Sequence, residues 1–200
     1  MIMSTKEAVV ALNGIKKGKK SDYKKIYNQD DYLSIGADGG SLFLDKIDII
    51  PDVIIGDMDS LSEKKLNYFK DLNVKLHRFS SEKDETDGEL ALNYCITNNI
   101  EKVYIIGAQG GRFDQQLANI FLLEYAVKNN LPALIKEPGL EAGIIKEKKE
   151  FLNRRKNRLS LLPLTSEVKG VSIEGCKYEV TDINLFRYKT RGVSNLINSN

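Results

Sequence analysis

Residues 51 to 61, PDVIIGDMDSL, carry an apolar run that ends at Gly56 and is followed by Asp57 and Asp59, one residue between them, with Ser60 behind. Other acids stand in comparable places. Asp38 follows the run YLSIGA, Asp84 and Asp87 lie in DETDGELAL, and Asp114 closes GAQGGRFD. Carboxylates brought together without matching basic residues repel, and a divalent cation relieves that most cheaply. With oxygen ligands alone and room left for water and phosphate oxygens, Mg²⁺ suits such a set better than zinc. The glycines of ADGG (Gly39) and GAQGG (Gly110, Gly111) would let backbone N–H groups approach a phosphate, and Arg112 could pair with one bidentately. Metal and phosphate together indicate phosphoryl-type transfer.

Each residue taken singly also has a plainer reading. Asp is favoured as a turn former and as a helix N-cap, and Asp45, Asp48 and Asp71 are assigned to that class. DETDGE reads as a helix start with Thr86 as cap and Glu89 completing a capping box, which does not exclude a metal role for Asp84 or Asp87. His77, the single histidine, lies in an alternating stretch and reads as a structural or surface residue. Neither Gly-Gly pair matches a Walker A or GxGxxG pattern.

The elements that must position these residues follow from periodicity. EAVVALNG, YLSIGA, DVIIG, NVKLHRF and KVYIIG read as strands. Between them, a lysine-rich loop leads into a weak helical pattern ending near Tyr27. SEKKLNYFKDL is a helix with Ser62 as N-cap and Leu66, Phe69 and Leu72 on one face, and a helix after DETD buries Leu90, Ala91, Tyr94 and Cys95. Strands alternating with helices imply parallel βαβ units, in which ligands bind beyond the carboxyl ends of the strands. After residue 131 short β-like runs separated by Gly, Pro and charged turns predict an antiparallel β unit, with the domain boundary near residue 130 in KNNLP.

Composition narrows the class. In 200 residues, 42% hydrophobic and 29% charged, no apolar run approaches the roughly 18 residues needed to cross a bilayer, and the first ten residues lack the pattern of a targeting segment. A cytoplasmic protein without membrane association is expected. Cys95 and Cys176 form no CxxC pair, which argues against a disulfide framework or a zinc site. Residues 1–125 hold 16 Lys+Arg against 20 Asp+Glu, and residues 126–200 hold 14 against 8. The acidic first part argues against nucleic-acid binding, and the basic NRRKNR (153–158) has no interleaved aromatics and reads as a solvated hairpin tip.

Taken in series, ADGG (37–40), PDVIIGDMDS (51–60), DETDGELAL (84–92), GAQGGRFDQQLAN (107–119) and RGVSN (191–195) resemble the ordered motifs of the thiamine pyrophosphokinase family. The resemblance implies an amino-terminal α/β domain (residues 1–130) for nucleotide and metal, then a carboxy-terminal β-sandwich (131–200) for thiamine and dimerisation. It implies a homodimer with thiamine between subunits. The implied reaction is Mg²⁺-dependent transfer of pyrophosphate from ATP to the thiamine hydroxyl, giving thiamine diphosphate and AMP. On that resemblance Asp57, Asp59 and Asp87 are the metal and phosphate-side acids, while Asp38, Asp84, Thr86, Arg112 and Asp114 line the nucleotide and substrate cleft. Ser194 and Asn195 match the pair associated with thiamine, and Tyr178 stands where the family often has a stacking aromatic. Without the resemblance, Tyr178 reads as a core residue and Ser194–Asn195 as a turn.

The chain departs from the family pattern in having Gln115 where a histidine is common and in having no tryptophan. It also ends soon after RGVSN, so a shortened or differently closed second domain is expected. The alternatives are a Mg²⁺-dependent nucleotide hydrolase or nucleotidyltransferase, and a protein that binds nucleotide or thiamine without turnover.

Overall fold

A computed structural model of the chain describes residues 7–27 and 32–199, so part of the expectation about the first ten residues lies outside the described residues. The chain divides into two units, the first ending at Ile144. Its elements run β1 (Glu7–Ala11), α1 (Lys20–Ile26), β2 (Leu33–Ala37), α2 (Gly40–Lys46), β3 (Val53–Gly56), α3 (Glu63–Asp71), β4 (Lys75–Arg78), α4 (Asp87–Thr97), β5 (Lys102–Ile106), α5 (Phe113–Lys128), β6 (Ala133–Glu137) and β7 (Leu140–Gly143).

The strands form one sheet in the order β4-β3-β2-β1-β5-β6-β7, parallel throughout except for β7, which pairs antiparallel with β6. The apolar runs of the central strands are explained by burial on both faces. Val10, Ile35, Val53 and Ile105 face Leu90, Ala91 and Cys95 of α4 and Leu122, Leu123 and Ala126 of α5. Val9, Ala11 and Tyr104 face Tyr23 of α1, Phe43 and Leu44 of α2 and its C-cap residue Ile47, while Ile54 packs with Phe69 of α3. Strand order reverses at β1, which lies between β2 and β5, so a crevice is expected beyond the carboxyl ends of these strands.

Helix starts follow the sequence closely. The Ser62 hydroxyl accepts the Lys65 N–H at 3.3 Å, and the Thr86 hydroxyl accepts the Glu89 N–H at 3.2 Å. Of the expected inner face of α3, Phe69 is fully buried and Leu66 partly so, but Leu72 is the C-cap residue and is 41% exposed. Cys95 of α4 is fully buried in the core shared with the central strands and α5, and burial pushes its thiol up to about 12. The folded protein should therefore leave Cys95 unlabelled by a thiol-directed disulfide reagent at pH 8, with reaction appearing only in denaturant; rapid labelling of the native protein would contradict this packing.

The boundary expected near residue 130 falls instead between Ile144 and Ile145. The hairpin of β6 and β7 looks like the start of an antiparallel unit, yet β6 adds to β5 in parallel through the pairs Val103 with Ala133 and Ile105 with Ile135. Burying Ala133 and Ile135 in the first core outweighs the local hairpin pattern. The second unit is antiparallel, as expected. Strands β8 (Arg158–Leu159) and β11 (Asn195–Leu196) pair, and β9 (Glu167–Ile173) pairs with β10 (Val180–Phe186). NRRKNR forms exposed turns running into β8, not the tip of a hairpin.

Candidate active site

Each strand from β2 to β5 ends beside a polar loop at the same edge of the sheet. Asp38, directly after β2, has φ +43, a left-handed conformation that Asp tolerates better than most residues. Its N–H is held by the Ile55 carbonyl at 2.8 Å, and its carbonyl accepts both the N–H and the hydroxyl of Ser41. That turn buries the side chain, 7% exposed, and leaves Oδ1 without a hydrogen-bond partner.

After β3 the chain makes a second forced turn. Met58 has φ +65, an uncommon conformation for a large side chain, and is kept there because its side chain fills the pocket formed by Ile54, Leu61 and Phe69. Apolar burial of the middle residue thus orients the two acids on either side of it. The Asp59 N–H points to Asp57 Oδ1 at 3.3 Å, and the Ser60 hydroxyl to Asp59 Oδ1 at 3.4 Å. Carboxylate oxygens of Asp38, Asp57 and Asp59 lie within 4.8 Å of one another, a spacing that one oxygen-liganded cation can span.

Asp87, the first residue of α4, stands beside this group and not in it. Lys83 reaches Asp87 Oδ1 at 3.0 Å, an ion-pair distance, though that oxygen is otherwise buried and without a well-aligned hydrogen bond. Burial pushes the Asp87 carboxyl above its ordinary range; Lys83 pulls it back in part, and the charges of Asp38 and Asp57 add to the rise. Gly56 separates the acids. It has φ +144, and a Cβ there would lie 2.9 Å from Asp87 Oδ1 and 3.0 Å from the Asp38 Cβ. Asp84 lies exposed in the loop before α4, and Thr86 acts as the N-cap.

Beyond β5 the segment from Gly107 to Arg112 leads into α5. Gly110 and Gly111 both have positive φ, and Gly110 passes so close to Ile15 that a Cβ would lie 2.6 Å from it. Arg112 is exposed and forks its guanidinium onto the Asp114 carboxylate, which it holds below the ordinary carboxylate range. Asp114 therefore orients Arg112, a partnership that spacing alone did not reveal. Gln115, at the position noted for its departure, is also exposed.

Three neighbours of the site carried no assignment from sequence. Asn13, after β1, packs across the ADGG turn, where a Cβ on Gly39 would lie 2.3 Å from its Nδ2; the Asn-Gly that ends the first apolar run was the available signal. Gly56 was seen only as the end of a strand. Glu137, at the end of β6, is 3% exposed and accepts the Ala108 N–H at 2.9 Å; it falls after residue 131, in the stretch that the sequence pattern assigns to the antiparallel unit.

In the second unit Asn195 is buried, and its side chain is used on Tyr178: Oδ1 accepts the Tyr178 N–H at 3.0 Å and Nδ2 donates to the Tyr178 carbonyl at 2.8 Å. The result fixes the Tyr178 backbone while its ring, 59% exposed, stands in solvent beside Lys177, which overturns the reading of Tyr178 as a core residue. Ser194 has φ +64, and its N–H is held by the Ser160 hydroxyl at 3.1 Å. Asp45 and Asp48 are occupied in ion pairs with Lys65 at 2.8 Å and Lys20 at 2.7 Å, away from the acid group.

Comparison with known proteins agrees with this layout. Residues 23–135 match the family model for the thiamin pyrophosphokinase catalytic domain, and residues 144–200 match that for the thiamin pyrophosphokinase vitamin B1 binding domain. The thiamine pyrophosphokinase of Bacillus subtilis is 29% identical over 171 residues, covering 84% of this chain and 80% of that protein. Its crystal structure superposes with a TM-score of 0.79 over 96% of this chain and 90% of that one. Yeast thiamin pyrophosphokinase, at 21% identity, shares the fold with a TM-score of 0.74 over 96% of this chain and 80% of its own. With both of its units matched in order, the chain belongs to the thiamine pyrophosphokinase family of enzymes.

Proposed function

We propose that the protein transfers the pyrophosphoryl group of ATP to the hydroxyl of thiamine. The hydroxyl oxygen bonds to the β-phosphorus and gives up its proton to solvent, the bond from that phosphorus to the α-phosphate oxygen breaks, and thiamine diphosphate and AMP are released. The observation that carries this reading is the approach of Asp38, Asp57 and Asp59 to within 4.8 Å, with Asp38 Oδ1 buried and unpartnered. That donor set, hard oxygens only, suits Mg²⁺; when bound the ion neutralises charge on the phosphate chain. Asp87, the third acid that the family resemblance assigns to metal and phosphate, stands beside that set with its charge offset by Lys83 at 3.0 Å. Gly39, Gly110 and Gly111 give phosphate oxygens access to backbone N–H groups, with Arg112 aimed by Asp114, and Asp84 and Thr86 border the cleft. The first unit serves nucleotide and metal, and the second serves thiamine, with Tyr178 offering a ring face and Ser194 and Asn195 beside it. Function as a cytoplasmic homodimer fits the family, and among the described residues no helix is long and apolar enough to cross a membrane.

The test is product analysis. Protein mixed with ATP, Mg²⁺ and thiamine should yield AMP and thiamine diphosphate in equal amounts, and neither when thiamine is omitted. ATP breakdown without thiamine would instead assign a hydrolase, and binding of both ligands without AMP would assign a non-catalytic role. A related expectation concerns the ion alone. Mg²⁺ at 100 times its dissociation constant should stabilise the folded protein by about 2.7 kcal/mol. Asp59→Asn should greatly reduce that gain; an equal rise in melting temperature for both proteins would remove Asp59 from the cation site.

A further inference from the structure

We infer that Glu137 is a positioning residue for nucleotide binding, holding the Gly107–Arg112 loop in the shape that presents its N–H groups to phosphate. This inference rests on the pyrophosphokinase reading above and names a residue that reading does not use. The carboxylate comes from the end of β6, beyond β5, and is almost wholly buried. Oε1 accepts the Ala108 N–H at 2.9 Å, while the Ala108 carbonyl accepts from Asn119 Nδ2 of α5 at 3.0 Å. The two peptide groups flanking the Ala108 Cα are thus held by side chains on different elements, two residues before the paired glycines and Arg112. The loop is tied in turn to the segment after β1, where the Ile15 N–H donates to the Gln109 carbonyl at 2.7 Å.

The identity of the residue adds to the argument. A neutral acceptor would satisfy backbone N–H groups at far smaller desolvation cost than a buried carboxylate. Burial pushes the Glu137 carboxyl above its ordinary range, and the N–H groups of Ala108 and Gln109, the Lys17 charge and the Tyr23 hydroxyl pull it back only in part. Lys17 and Tyr23 belong to the segment after β1, since the Lys17 N–H donates to the Tyr23 hydroxyl at 3.0 Å. Glu137 therefore stands where the two loops flanking the β1–β5 reversal converge. A charge-assisted hydrogen bond is shorter and about twice as strong as a neutral one, which suits a loop whose backbone must stay fixed before ligand arrives.

Steady-state kinetics on the full chain test this. Glu137→Met, which removes the acceptor at nearly constant volume, should raise KM for Mg·ATP by about tenfold, with KM for thiamine within about twofold of wild type. Glu137→Gln, which keeps an acceptor oxygen at the same reach but gives up the charge, should recover only part of the loss, leaving KM for Mg·ATP raised about threefold. Should Glu137→Met fail to accumulate as folded protein, Glu137→Asp decides, since withdrawing the charge by one methylene should give a several-fold rise in the same constant. An unchanged KM for ATP in the folded variants overturns the inference, as does a fall in kcat alone that tracks the folded fraction. Equilibrium binding of Mg·ATP separates the two levels of argument: wild-type protein that binds the nucleotide without turning over thiamine defeats only the proposed reaction, and wild-type protein that binds none defeats both.

Discussion

Asp38→Asn should lower thiamine diphosphate formation by about a thousandfold and, in metal-free buffer, raise the melting temperature. Both effects come from the same side chain. Asp38 Oδ1 is buried without a partner and lies among the oxygens of Asp57 and Asp59, so the metal-free fold holds an unsatisfied acceptor in a field of like charge. An amide there carries no charge and can donate to a neighbouring carboxylate, and Asn tolerates φ +43 at least as well as Asp. Relief of one such group is worth about 1–2 kcal/mol, or about 3–6 °C. The loss of activity follows because a cation that neutralises phosphate charge supplies several kcal/mol of transition-state stabilisation, each 1.36 kcal/mol being about tenfold in rate. Asp59→Asn gives the contrast, since Asp59 is exposed: a similar loss of turnover with little change in metal-free stability. Thermal melts with and without Mg²⁺, alongside AMP release, check both. Wild-type activity in Asp38→Asn, or a lowered metal-free melting temperature, would set aside the picture of a strained acid site.

Much of this arrangement could be read from residue order, because in a parallel sheet every loop after a strand emerges at one edge. That rule places Asp38, Asp57, Asp59, Asp87 and the Gly107–Arg112 loop together without any knowledge of distances. What order does not carry is the local backbone. The left-handed turn at Asp38 brings that acid within 4.8 Å of Asp57 and Asp59, while Asp87, which the family resemblance groups with them, stands beside the set with Lys83, four residues earlier across the turn into α4, at 3.0 Å. Asp114 likewise reads as a ligand by type but is committed to Arg112. The remaining errors share a cause: a hairpin such as β6–β7 has the same local pattern wherever it docks. Its allegiance is fixed by long-range pairing with β5, and Glu137 could not be linked to the site until that pairing was known. Tyr178 shows the converse case. Its strand-like surroundings suggest burial, but the buried group is the Asn195 amide that ties down its backbone.

The sharpest steric test lies at Gly56, between the acids. Gly56→Ala should destabilise the protein by about 2–4 kcal/mol and reduce activity by about a hundredfold or more. Part of the stability loss is backbone strain, because φ +144 is a conformation that residues with a Cβ rarely adopt, at about 1–3 kcal/mol. The remainder comes from contact: the added methyl would meet Asp87 Oδ1 at 2.9 Å and the Asp38 Cβ at 3.0 Å, closer than carbon and its neighbours normally approach. Neither acid can yield freely. Asp38 is fixed by its bonds to Ile55 and Ser41, and Asp87 is the first residue of a helix whose Gly88 already lies tight against Leu122. The acids must therefore shift by several tenths of an ångström, and misplacement approaching 1 Å in a pre-organised site costs about a hundredfold in rate. Gly139→Ala isolates the backbone component, since Gly139 has φ +79 in the β6–β7 turn with open space where the methyl would stand. That variant should lose about 1–2 kcal/mol of stability and keep its turnover. The comparison is made by denaturant unfolding and by AMP release at saturating ATP and thiamine, with each rate corrected for folded fraction. A Gly56→Ala protein that matches Gly139→Ala in both measurements would show that the approach of Asp38 and Asp87 across Gly56 has no part in catalysis.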